Sequence, residues 1–330
     1  MTQKKTATGA RFIVTGAAGF IGGNLVLALN ERGYDDILAV DCLDAGAKKR
    51  NLRDLRFSRF LDKGEFRERI LASRQETVTA VFHLGACSST TETDEPYLMD
   101  NNYLYTRDLC EWCLNNDVRF IYASSAATYG DGSLGYSDRD AVTRRLRPLN
   151  LYAKSKQRFD LWALEHRALD RVAGIKYFNV YGPREDHKGD MRSVVSKAYD
   201  QIRESGALRL FRSHRPDCRD GHQTRDFVYV KDAVDVTLFF LDHPDVCGLF
   251  NCGTGKARTW VDLAHAVFRA MKRAPRIRFV NMPAEIRSKY QYHTEADLAK
   301  LRRAGCKKRF ASLETGVEDY VAGCLSFLRP

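Results

Sequence analysis

Three glycines follow a short apolar run near the start of the chain, and their spacing restricts the fold more than any other feature. Residues 12–14, Phe-Ile-Val, predict a buried β-strand, and Gly16, Gly19 and Gly22 come directly after it. In the pattern G-x-x-G-x-x-G the first glycine permits a tight turn, the second lets the backbone approach a pyrophosphate, and the third lets the next helix pack on the sheet. The unpaired N–H groups at the start of that helix attract phosphate. The spacing therefore predicts a strand, loop and helix that bind a dinucleotide.

Apolar runs alternate with helix-like stretches through the first half of the chain. Further strands are predicted at residues 37–40, 78–83, 120–122 and 174–178, with helices between them such as 20–32 and 101–115. Alternating strands and helices predict a parallel sheet covered on both faces. Runs that are apolar at nearly every position fit strands buried on both sides. The expected fold class is therefore α/β, with a doubly wound parallel sheet.

The second half of the chain is more irregular and predicts a smaller α/β domain that binds the substrate. Residues 227–230 predict one more strand, and a helix follows to about residue 241. We expect the dinucleotide-binding domain to span residues 11–178 with about 226–254. The substrate-binding domain is expected at residues 179–225 with about 255–330, and residues 1–10 are predicted to form a flexible N-terminal tail.

The chain of 330 residues carries 53 Lys and Arg against 42 Asp and Glu, a formal net charge of +11. The basic residues are spread along the sequence without an aromatic-interleaved stripe, so an anionic small molecule or simply solubility explains the charge, and we expect no nucleic acid as partner. No apolar run approaches the roughly 18 residues of a membrane span, and the polar start of the chain has no signal-peptide core. We therefore expect a cytoplasmic protein without a membrane partner.

The cysteines and histidines give no pattern of a disulfide framework or a metal site. Nine cysteines at irregular spacing favour a reducing compartment. Cys110 and Cys113 have C-x-x-C spacing, but they lie in a helix-like stretch without a second pair, so we expect buried packing residues. His214, Cys218 and His222 lack a fourth ligand and a closing pattern, and no metal is predicted.

An acidic residue, Asp41, ends the second predicted strand. In dinucleotide-binding folds a residue at this place usually bonds a ribose 2′-hydroxyl, which favours NAD. Lys48 and Lys63, with Arg50 nearby, can instead neutralise a 2′-phosphate, which favours NADP. The same lysines are equally expected as solvated surface charge, so the residues alone leave both cofactors open.

Tyr152 and Lys156 form a Y-x-x-x-K pattern in a helix-like stretch. Four residues of separation place both side chains on one helix face. A neighbouring ammonium lowers the pKa of a phenol, so Tyr152 is predicted to exchange a proton with a substrate hydroxyl whose carbon is oxidised or reduced. Ser125 ends the fourth predicted strand, at the sheet edge where ligands bind, and is predicted to hydrogen-bond the reacting oxygen. The order of the three residues favours an enzyme over an amphipathic helix with a half-buried aromatic.

Together these motifs resemble the extended short-chain dehydrogenase/reductase family. The glycine loop, the Ser125/Tyr152/Lys156 set and the stretch Asn-Val-Tyr-Gly-Pro at 179–183 carry that resemblance. Within the family the chain is similar to the ADP-glyceromanno-heptose 6-epimerases at residues 85–92, 99–103, 123–130, 177–184, 187–189, 225–230 and 294–298. The similarity covers nearly the whole chain from Arg11 onward.

The resemblance implies a Rossmann-type nucleotide domain and an isomerase. Such an enzyme inverts C-6 of ADP-D-glycero-beta-D-manno-heptose to the L-glycero form by transient oxidation to a ketone and re-reduction, which supplies heptose for the lipopolysaccharide inner core. It implies one tightly bound NADP per subunit, with NAD possible, and a homo-oligomer, specifically a homopentamer. Tyr152 and Lys188 match the acid/base pair, while Ser125 and Lys156 match the family's serine and lysine.

The resemblance also assigns two binding sites. The implied cofactor-binding residues are Gly16, Gly19, Phe20, Ile21, Gly22, Asp41, Cys42, Lys48, Lys63, Leu84, Gly85, Ala86, Cys87, Ser88, Asn101, Lys156 and Val180. The implied substrate-binding residues are Ser125, Asn179, Asp190, Lys197, Phe211, Arg212, Ser213, His214, Arg225 and Tyr290. Cys42, Leu84, Asp190 and Lys197 differ from the residues that these epimerases commonly carry, and residues 212–224 form a longer segment than in the shorter members.

Three alternatives compete with the heptose epimerase. A nucleotide-sugar dehydratase usually has an Asp-Glu pair where this chain has Ala126-Ala127, and a UDP-hexose 4-epimerase lacks the His187-Lys188-Gly189 feature. A non-catalytic dinucleotide-binding protein tends to lose the Y-x-x-x-K pattern, which is intact here. The residues therefore favour the epimerase over each alternative.

Overall fold

The computed structural model describes residues 10–43, 46–72, 77–287 and 290–325. The strands in these ranges are β1 Phe12–Thr15, β2 Ile37–Asp41, β3 Arg59–Asp62, β4 Ala80–His83, β5 Arg119–Ser125, β6 Ala173–Tyr177, β7 Asn179–Tyr181, β8 Leu208–Phe211, β9 Thr224–Tyr229, β10 Gly248–Cys252, β11 Ala257–Thr259 and β12 Ile277–Val280.

The α-helices are α1 Phe20–Glu31, α2 Gly46–Asn51, α3 Lys63–Ala72, α4 Glu95–Leu98, α5 Tyr105–Asn115, α6 Asp140–Thr143, α7 Leu151–Glu165, α8 Val194–Ser205, α9 Val230–Asp242, α10 Trp260–Ala270, α11 Ala284–Arg287, α12 Ala299–Arg303 and α13 Leu313–Tyr320. Short 3₁₀ turns cover Ala126–Tyr129, Ala168–Asp170 and Asp186–Met191, and π-helical turns cover Met99–Leu104 and Val321–Leu325. No helix of the described residues is long and apolar enough to cross a membrane.

Seven strands form the main sheet in the order β10-β6-β5-β4-β1-β2-β3, and all six neighbouring pairs are parallel. The chain order reverses between β1 and β4, so the connections leave the sheet in opposite directions there. In such sheets the crevice at the carboxyl ends of the two strands is the usual ligand site. The expected doubly wound α/β fold is confirmed.

Side chains of one strand show that both faces of the main sheet are buried. Phe12 and Val14 pack into a core cluster with Leu25 of α1, while Ile13 packs into a second cluster with Phe159 of α7. This follows from the alternation of side chains along a strand. It explains why the strands are apolar at nearly every position.

Several elements differ from the sequence expectations, among them strands β7, β8, β10, β11 and β12, which were not predicted individually. Strand β3 was not expected because only Leu61 of its four residues is buried, as is usual at a sheet edge. The expected helix over 101–115 begins with a π-helical turn, Met99–Leu104, before it continues as α5. Both Asn101 and Asn102 are buried in that turn, and π-helical turns occur frequently at functional sites.

The smaller part of the molecule contains a mixed three-stranded sheet, β11-β9-β7, and a parallel pair, β12-β8. A third core cluster joins these strands to α8, α10 and α13. Helix α9 and strand β10 return to the main sheet, whereas β9 pairs in the small sheet. The division into two domains stays a prediction, and residues 1–9 of the predicted tail lie outside the described residues.

Candidate active site

The glycine loop closes tightly against the ends of the central strands. Gly16 has a φ of +71°, and a Cβ there would lie 2.7 Å from the backbone nitrogen of Gly85. The N–H of Gly16 bonds the carbonyl of Val40 at 2.8 Å. Gly19 is the N-cap of α1 and contributes no side-chain cap, so the first amides of the helix face the crevice without a side-chain acceptor from the cap position. This arrangement suits a phosphate group.

Asp41 is buried at the end of β2 and stabilises the same loop. Its carboxylate accepts hydrogen bonds from the N–H groups of Ala18 at 2.9 Å and Cys42 at 2.7 Å. The Lys48 ammonium donates to Oδ1 of Asp41 at 3.1 Å and to the carbonyl of Cys42 at 3.0 Å. The sequence analysis assigned both Asp41 and Lys48 to the ribose 2′ position of the cofactor. In the structure their side chains form a direct ion pair.

A cavity of about 180 Å³, here called the small cavity, lies beside Asp41 and Lys48. Lys63 lines it and donates to the side-chain oxygen of Asn101 at 2.8 Å. Tyr105 also lines it, and its buried hydroxyl has no hydrogen-bond partner among the described residues. A buried hydroxyl without a partner is costly unless a ligand or water completes it, so the small cavity fits a polar ligand.

A larger cavity of about 480 Å³, the main cavity, continues along the carboxyl edge of the sheet. Its wall includes the glycine loop, the residues after β4, the end of β5 and the start of α7. The backbone after β4 is fixed by two bonds, from Gly85 N–H to the Thr15 hydroxyl at 3.1 Å and from Cys87 N–H to the Asn102 side chain at 2.8 Å.

Ser125, Tyr152 and Lys156 all line the main cavity. Helix α7 begins at its N-cap Asn150, whose side chain accepts from the N–H of Ala153 at 2.8 Å. This cap places Tyr152 in the first turn and Lys156 one turn later. The Lys156 ammonium donates to the carbonyl of Ala123 on β5 at 2.9 Å, which ties the helix to the sheet edge.

The pKa shifts of Tyr152 and Lys156 differ from one expectation of the sequence analysis. Burial raises the pKa of Tyr152, and a hydrogen bond with Ser125 partly opposes that rise. Burial lowers the pKa of Lys156 to about 8, against the opposing charge of Asp160. The expectation that the lysine ammonium lowers the tyrosine pKa is therefore wrong for this structure, because desolvation of the phenol outweighs the other effects.

A buried ion pair lies beneath this wall. Asp160, one helical turn after Lys156, is 3.1 Å from the Lys176 ammonium of β6, and both side chains are fully buried. The same carboxylate accepts from the hydroxyls of Tyr122 at 3.0 Å and Ser124 at 2.7 Å. The network fixes α7 to two central strands.

Lys188 reaches the main cavity from another part of the chain, the 3₁₀ turn Asp186–Met191 after β7. Its ammonium lies 5.5 Å from the ring centroid of Phe20 in the first turn of α1. Burial lowers the pKa of Lys188, and the charge of Glu185 opposes that shift. The aromatic face of Phe20 attracts the Lys188 ammonium and partly compensates for the hydration that the ammonium loses on burial.

The structure brings most of the expected site residues together. The main cavity is lined by Gly16, Gly19, Phe20, Ile21, Gly22, Asp41, Lys48, Leu84, Gly85, Ala86, Ser88, Ser125, Tyr152, Lys156, Asn179, Val180 and Lys188. The small cavity adds Cys42, Lys63, Cys87 and Asn101.

Eight of the expected substrate-binding residues do not line either cavity: Asp190, Lys197, Phe211, Arg212, Ser213, His214, Arg225 and Tyr290. Two of them lie behind the wall of the main cavity. The Arg225 guanidinium stacks 5.5 Å from Trp260 and 5.0 Å from Tyr290, and Trp260 lines the cavity. Trp260 also donates to the Tyr290 hydroxyl at 2.9 Å.

The other six of these residues make local contacts in exposed or partly exposed segments. Lys197 donates to the carbonyl of Asp190 at 3.2 Å. Arg212 lies 3.8 Å from Asp220, whose carboxylate also accepts from the N–H of Ser213 at 2.8 Å. The N–H of His214 bonds the Tyr292 hydroxyl at 2.9 Å, and Phe211 ends β8.

Several cavity residues were not identified from the sequence. His187, Arg192, Trp260, Gln291 and Thr294 all line the main cavity. His187 and Thr294 lie within stretches that carry the family resemblance and could have been found there. Trp260 and Gln291 belong to none of the sequence motifs, and they line the main cavity only because the chain folds as it does.

Cys110 and Cys113 lie on the buried face of α5, and burial raises the pKa of both thiols. This is the packing role expected from the sequence. Among the residues that the structure describes, no group of three or more His, Cys, Asp or Glu could hold a metal ion.

Residues 12–253 match the model of the NAD dependent epimerase/dehydratase family. The chain belongs to this family. It is 55% identical over 320 residues to the ADP-L-glycero-D-manno-heptose-6-epimerase of Nitratidesulfovibrio vulgaris strain DP4, covering 97% of this chain and 99% of that protein. The resemblance inferred from the motifs, and with it the isomerase class, is confirmed.

Solved structures show the same fold. The ADP-L-glycero-D-manno-heptose-6-epimerase of Helicobacter pylori superposes with a TM-score of 0.80 at 24% identity, over 95% of this chain and 96% of that one. The UDP-glucose 4-epimerase of Thermus thermophilus, solved in complex with NAD, gives a TM-score of 0.75 at 26% identity, over 94% of this chain and 98% of that one. The fold is shared along nearly the whole chain.

Proposed function

We propose that the chain is an NADP-dependent epimerase that inverts C-6 of ADP-D-glycero-beta-D-manno-heptose through a transient ketone, and so supplies heptose for the lipopolysaccharide inner core. The observation that carries the proposal is the convergence of Ser125, Tyr152, Lys156 and Lys188 on one cavity beside the glycine loop. The 55% identity to a heptose epimerase over 97% of the chain supports the choice of substrate.

The residues around both cavities fit a dinucleotide. The uncapped start of α1 suits its pyrophosphate, and the unpartnered Tyr105 hydroxyl of the small cavity suits a polar group. When bound, the nicotinamide supplies acceptance and return of the hydride at C-6.

NADP is favoured over NAD by the charges near the ribose end. Asp41 already accepts from two backbone amides and from Lys48, so its carboxylate is not free to bond two ribose hydroxyls. Lys48 and Lys63 line the small cavity with Asp41, which leaves two cations against one carboxylate. A 2′-phosphate is the natural partner of that excess.

Inversion requires proton transfer from two directions, and two groups of opposite tendency are present. Burial raises the pKa of Tyr152 and lowers the pKa of Lys188, so Tyr152 holds its proton more tightly and Lys188 gives up its proton more readily than the free side chains do. We infer that Lys188 takes the C-6 hydroxyl proton as the carbon is oxidised, and that Tyr152 gives a proton to the ketone oxygen on re-reduction. Proton exchange with solvent between turnovers then returns Lys188 and Tyr152 to their starting forms. Ser125 hydrogen-bonds the reacting oxygen, and Lys156 orients the cofactor ribose.

The nucleotide sugar is proposed to bind beside Asn179 and the Trp260 wall. Arg225 and Tyr290, stacked against each other behind Trp260, are the candidates for its diphosphate. Asp190, Lys197 and residues 211–214 remain predicted substrate residues from the family resemblance. We also propose a cytoplasmic homo-oligomer, a homopentamer by that resemblance.

Incubation of the purified protein with ADP-D-glycero-D-manno-heptose, without added cofactor, tests the proposal. Chromatographic separation should show formation of the other C-6 epimer, and denatured protein should release about one NADP per chain. Absence of conversion with NADP or NAD added would reject the heptose substrate. Turnover of UDP-galactose under the same conditions would instead identify a 4-epimerase.

A further inference from the structure

The segment that carries Lys188 is only partly buried. No residue in Asp186–Met191 is fully buried, and Gly189, whose φ is +52°, interrupts the turn. A catalytic group must nevertheless be held within a fraction of an ångström of its working position. Contacts from neighbouring elements, such as that between Asn51 and His187, and contacts at the two ends of the segment must therefore supply the restraint.

Glu185, directly before the segment, is completely buried. Its carboxylate accepts from the Ser193 hydroxyl at 2.6 Å with Oε1 and from the Ser193 N–H with Oε2. Glu185 also accepts from the Lys188 N–H through its backbone carbonyl at 3.0 Å. One residue therefore joins the start of the loop, its lysine and its end.

Ser193 is in turn the N-cap of α8, where its hydroxyl oxygen accepts from the N–H of Ser196 at 3.3 Å. Val195 in the first turn of this helix is fully buried in the third core cluster. The bond between Glu185 and Ser193 thus transfers the rigidity of a packed helix to a segment that lacks it.

We propose that Glu185 is a positioning residue for Lys188: its buried carboxylate, three residues before the lysine, holds the Asp186–Met191 segment in place through Ser193. This inference rests on the proposed role of Lys188 in the reaction. A glutamine in place of Glu185 would leave the segment with one acceptor fewer and would remove the negative charge of the carboxylate.

The charge of Glu185 distinguishes this role from a merely structural contact, because a charge changes the pKa of Lys188 and an uncharged contact does not. Burial disfavours the ammonium of Lys188, and Glu185 is the charged group that opposes it. Among the described residues, the other charged or titratable groups around Lys188 are Arg184 before the segment, Asp186, His187 and Asp190 on it, Lys48, Lys49 and Arg50 on α2, Arg192, Lys197 and Asp200 around the start of α8, and Tyr152 and Lys156 on the wall of the main cavity. Removal of the Glu185 charge should therefore lower the pKa of Lys188 further.

The test is the pH profile of epimerisation in the holoenzyme for Glu185→Gln and Glu185→Asp. Glu185→Gln should move the limb set by Lys188 to lower pH, in whichever direction the reaction is followed. Glu185→Asp keeps the charge but shortens the side chain, so its limb should stay in place while kcat falls. An unshifted profile in Glu185→Gln, measured on protein that retains its cofactor, would overturn the inference.

Ser193→Ala gives a second test if Glu185→Gln does not fold. Its matched control is Ser312→Ala, because Ser312 is also a helix N-cap, on α13 away from the cavity. Ser193→Ala should lower kcat about tenfold with the profile unshifted, because a small displacement of a catalytic group is costly, and Ser312→Ala should leave kcat unchanged. Equal kcat in the two variants would contradict the positioning role.

Lys188→Met separates this inference from the proposed function. If that variant turns over like the parent protein, the proposed role of Lys188 fails, and the role of Glu185 fails with it. If Lys188→Met is inactive while the Glu185 and Ser193 variants behave like the parent protein, only the inference about Glu185 is rejected.

Discussion

Tyr152 and Lys188 line the same cavity, but the protein holds them in two different ways. Tyr152 lies on a helix of 15 residues whose side chains Phe159 and Ala163 are buried in the core of the main sheet. Beneath it, Asp160 forms a fully buried ion pair with Lys176. The side of the cavity around Tyr152 is thus stabilised by the same contacts that stabilise the fold.

The side of the cavity around Lys188 is held by a few polar contacts. The Asn51 side chain donates to the carbonyls of Ala18 at 2.9 Å and Arg184 at 3.1 Å, and it lies 3.2 Å from the ring nitrogen of His187. Asn51 therefore links the glycine loop to the Lys188 segment. Such contacts can be lost without loss of the core, so the two sides should respond differently to substitution.

The largest expected effect is on turnover. Tyr152→Phe and Lys188→Ala should each lower kcat by about 10²–10⁴-fold, the usual contribution of a general acid or base. The double variant should abolish epimerisation while NADP stays bound. Lys154→Ala is the control, since Lys154 is an exposed lysine on the same helix as Tyr152. Kinetics and released cofactor measure both properties, and retained activity in the double variant would refute the assigned roles.

The next effect tests the claim that the Tyr152 side is part of the core. Asp160→Asn leaves the Lys176 ammonium buried without a counter-ion, which should lower the free energy of unfolding by about 3–5 kcal/mol. Asp117→Asn is the matched control, because Asp117 pairs with Arg171 at an exposed site. That change should cost less than about 1 kcal/mol. Urea unfolding of both variants measures the difference, and equal midpoints would contradict the comparison.

The sequence predicted the Tyr152 side better than the Lys188 side for a physical reason. Strand and helix periodicity, together with Gly16, Tyr152 and Lys156, determine the sheet edge and its helices locally, and these are where they were expected. The position of Lys188 depends on side chains distant in sequence, such as Asn51. Contacts of this kind leave no periodic pattern in the sequence, so they could not be predicted from it. The family resemblance supplied Lys188, but it could not supply Trp260 or show that Arg225 lies behind it.

The pKa of Tyr152 shows a second limit of sequence reasoning. The spacing to Lys156 correctly predicted that both residues lie at one site. It did not predict that the phenol is buried, and burial has the larger effect on its pKa. Residue spacing gives neighbours along a helix, whereas desolvation depends on everything packed around it.

The smallest expected effect concerns two histidines, one on each side. His83 is fully buried at the end of β4, between the hydroxyls of Thr15 at 2.8 Å and Thr106 at 2.9 Å. The Thr106 hydroxyl donates to the carbonyl of Asn102 at 2.6 Å, so it accepts from Nε2–H of His83. Burial lowers the pKa of His83 to about 3. His187, on the Lys188 side, is only partly buried, and burial lowers its pKa to about 4.

Because both pKa values are lower in the folded than in the unfolded chain, the unfolded state binds more protons between about pH 6.5 and the folded values. The stability is fully present above about pH 6.5 and is lost as the pH falls, at most about 1.4 kcal/mol per unit for His83. Urea midpoints at pH 7 and pH 5 should therefore differ. Between pH 7 and pH 5 His83→Gln and His187→Gln should remove similar shares of this loss, because both folded pKa values lie below pH 5. Between about pH 4 and pH 3 the loss should continue in His187→Gln and level off in His83→Gln, since His187 takes up its proton in the folded chain at the higher pH. Urea midpoints of the two variants over that range measure the difference. The reverse ranking would place the acid sensitivity on the Lys188 side and break the distinction between the two.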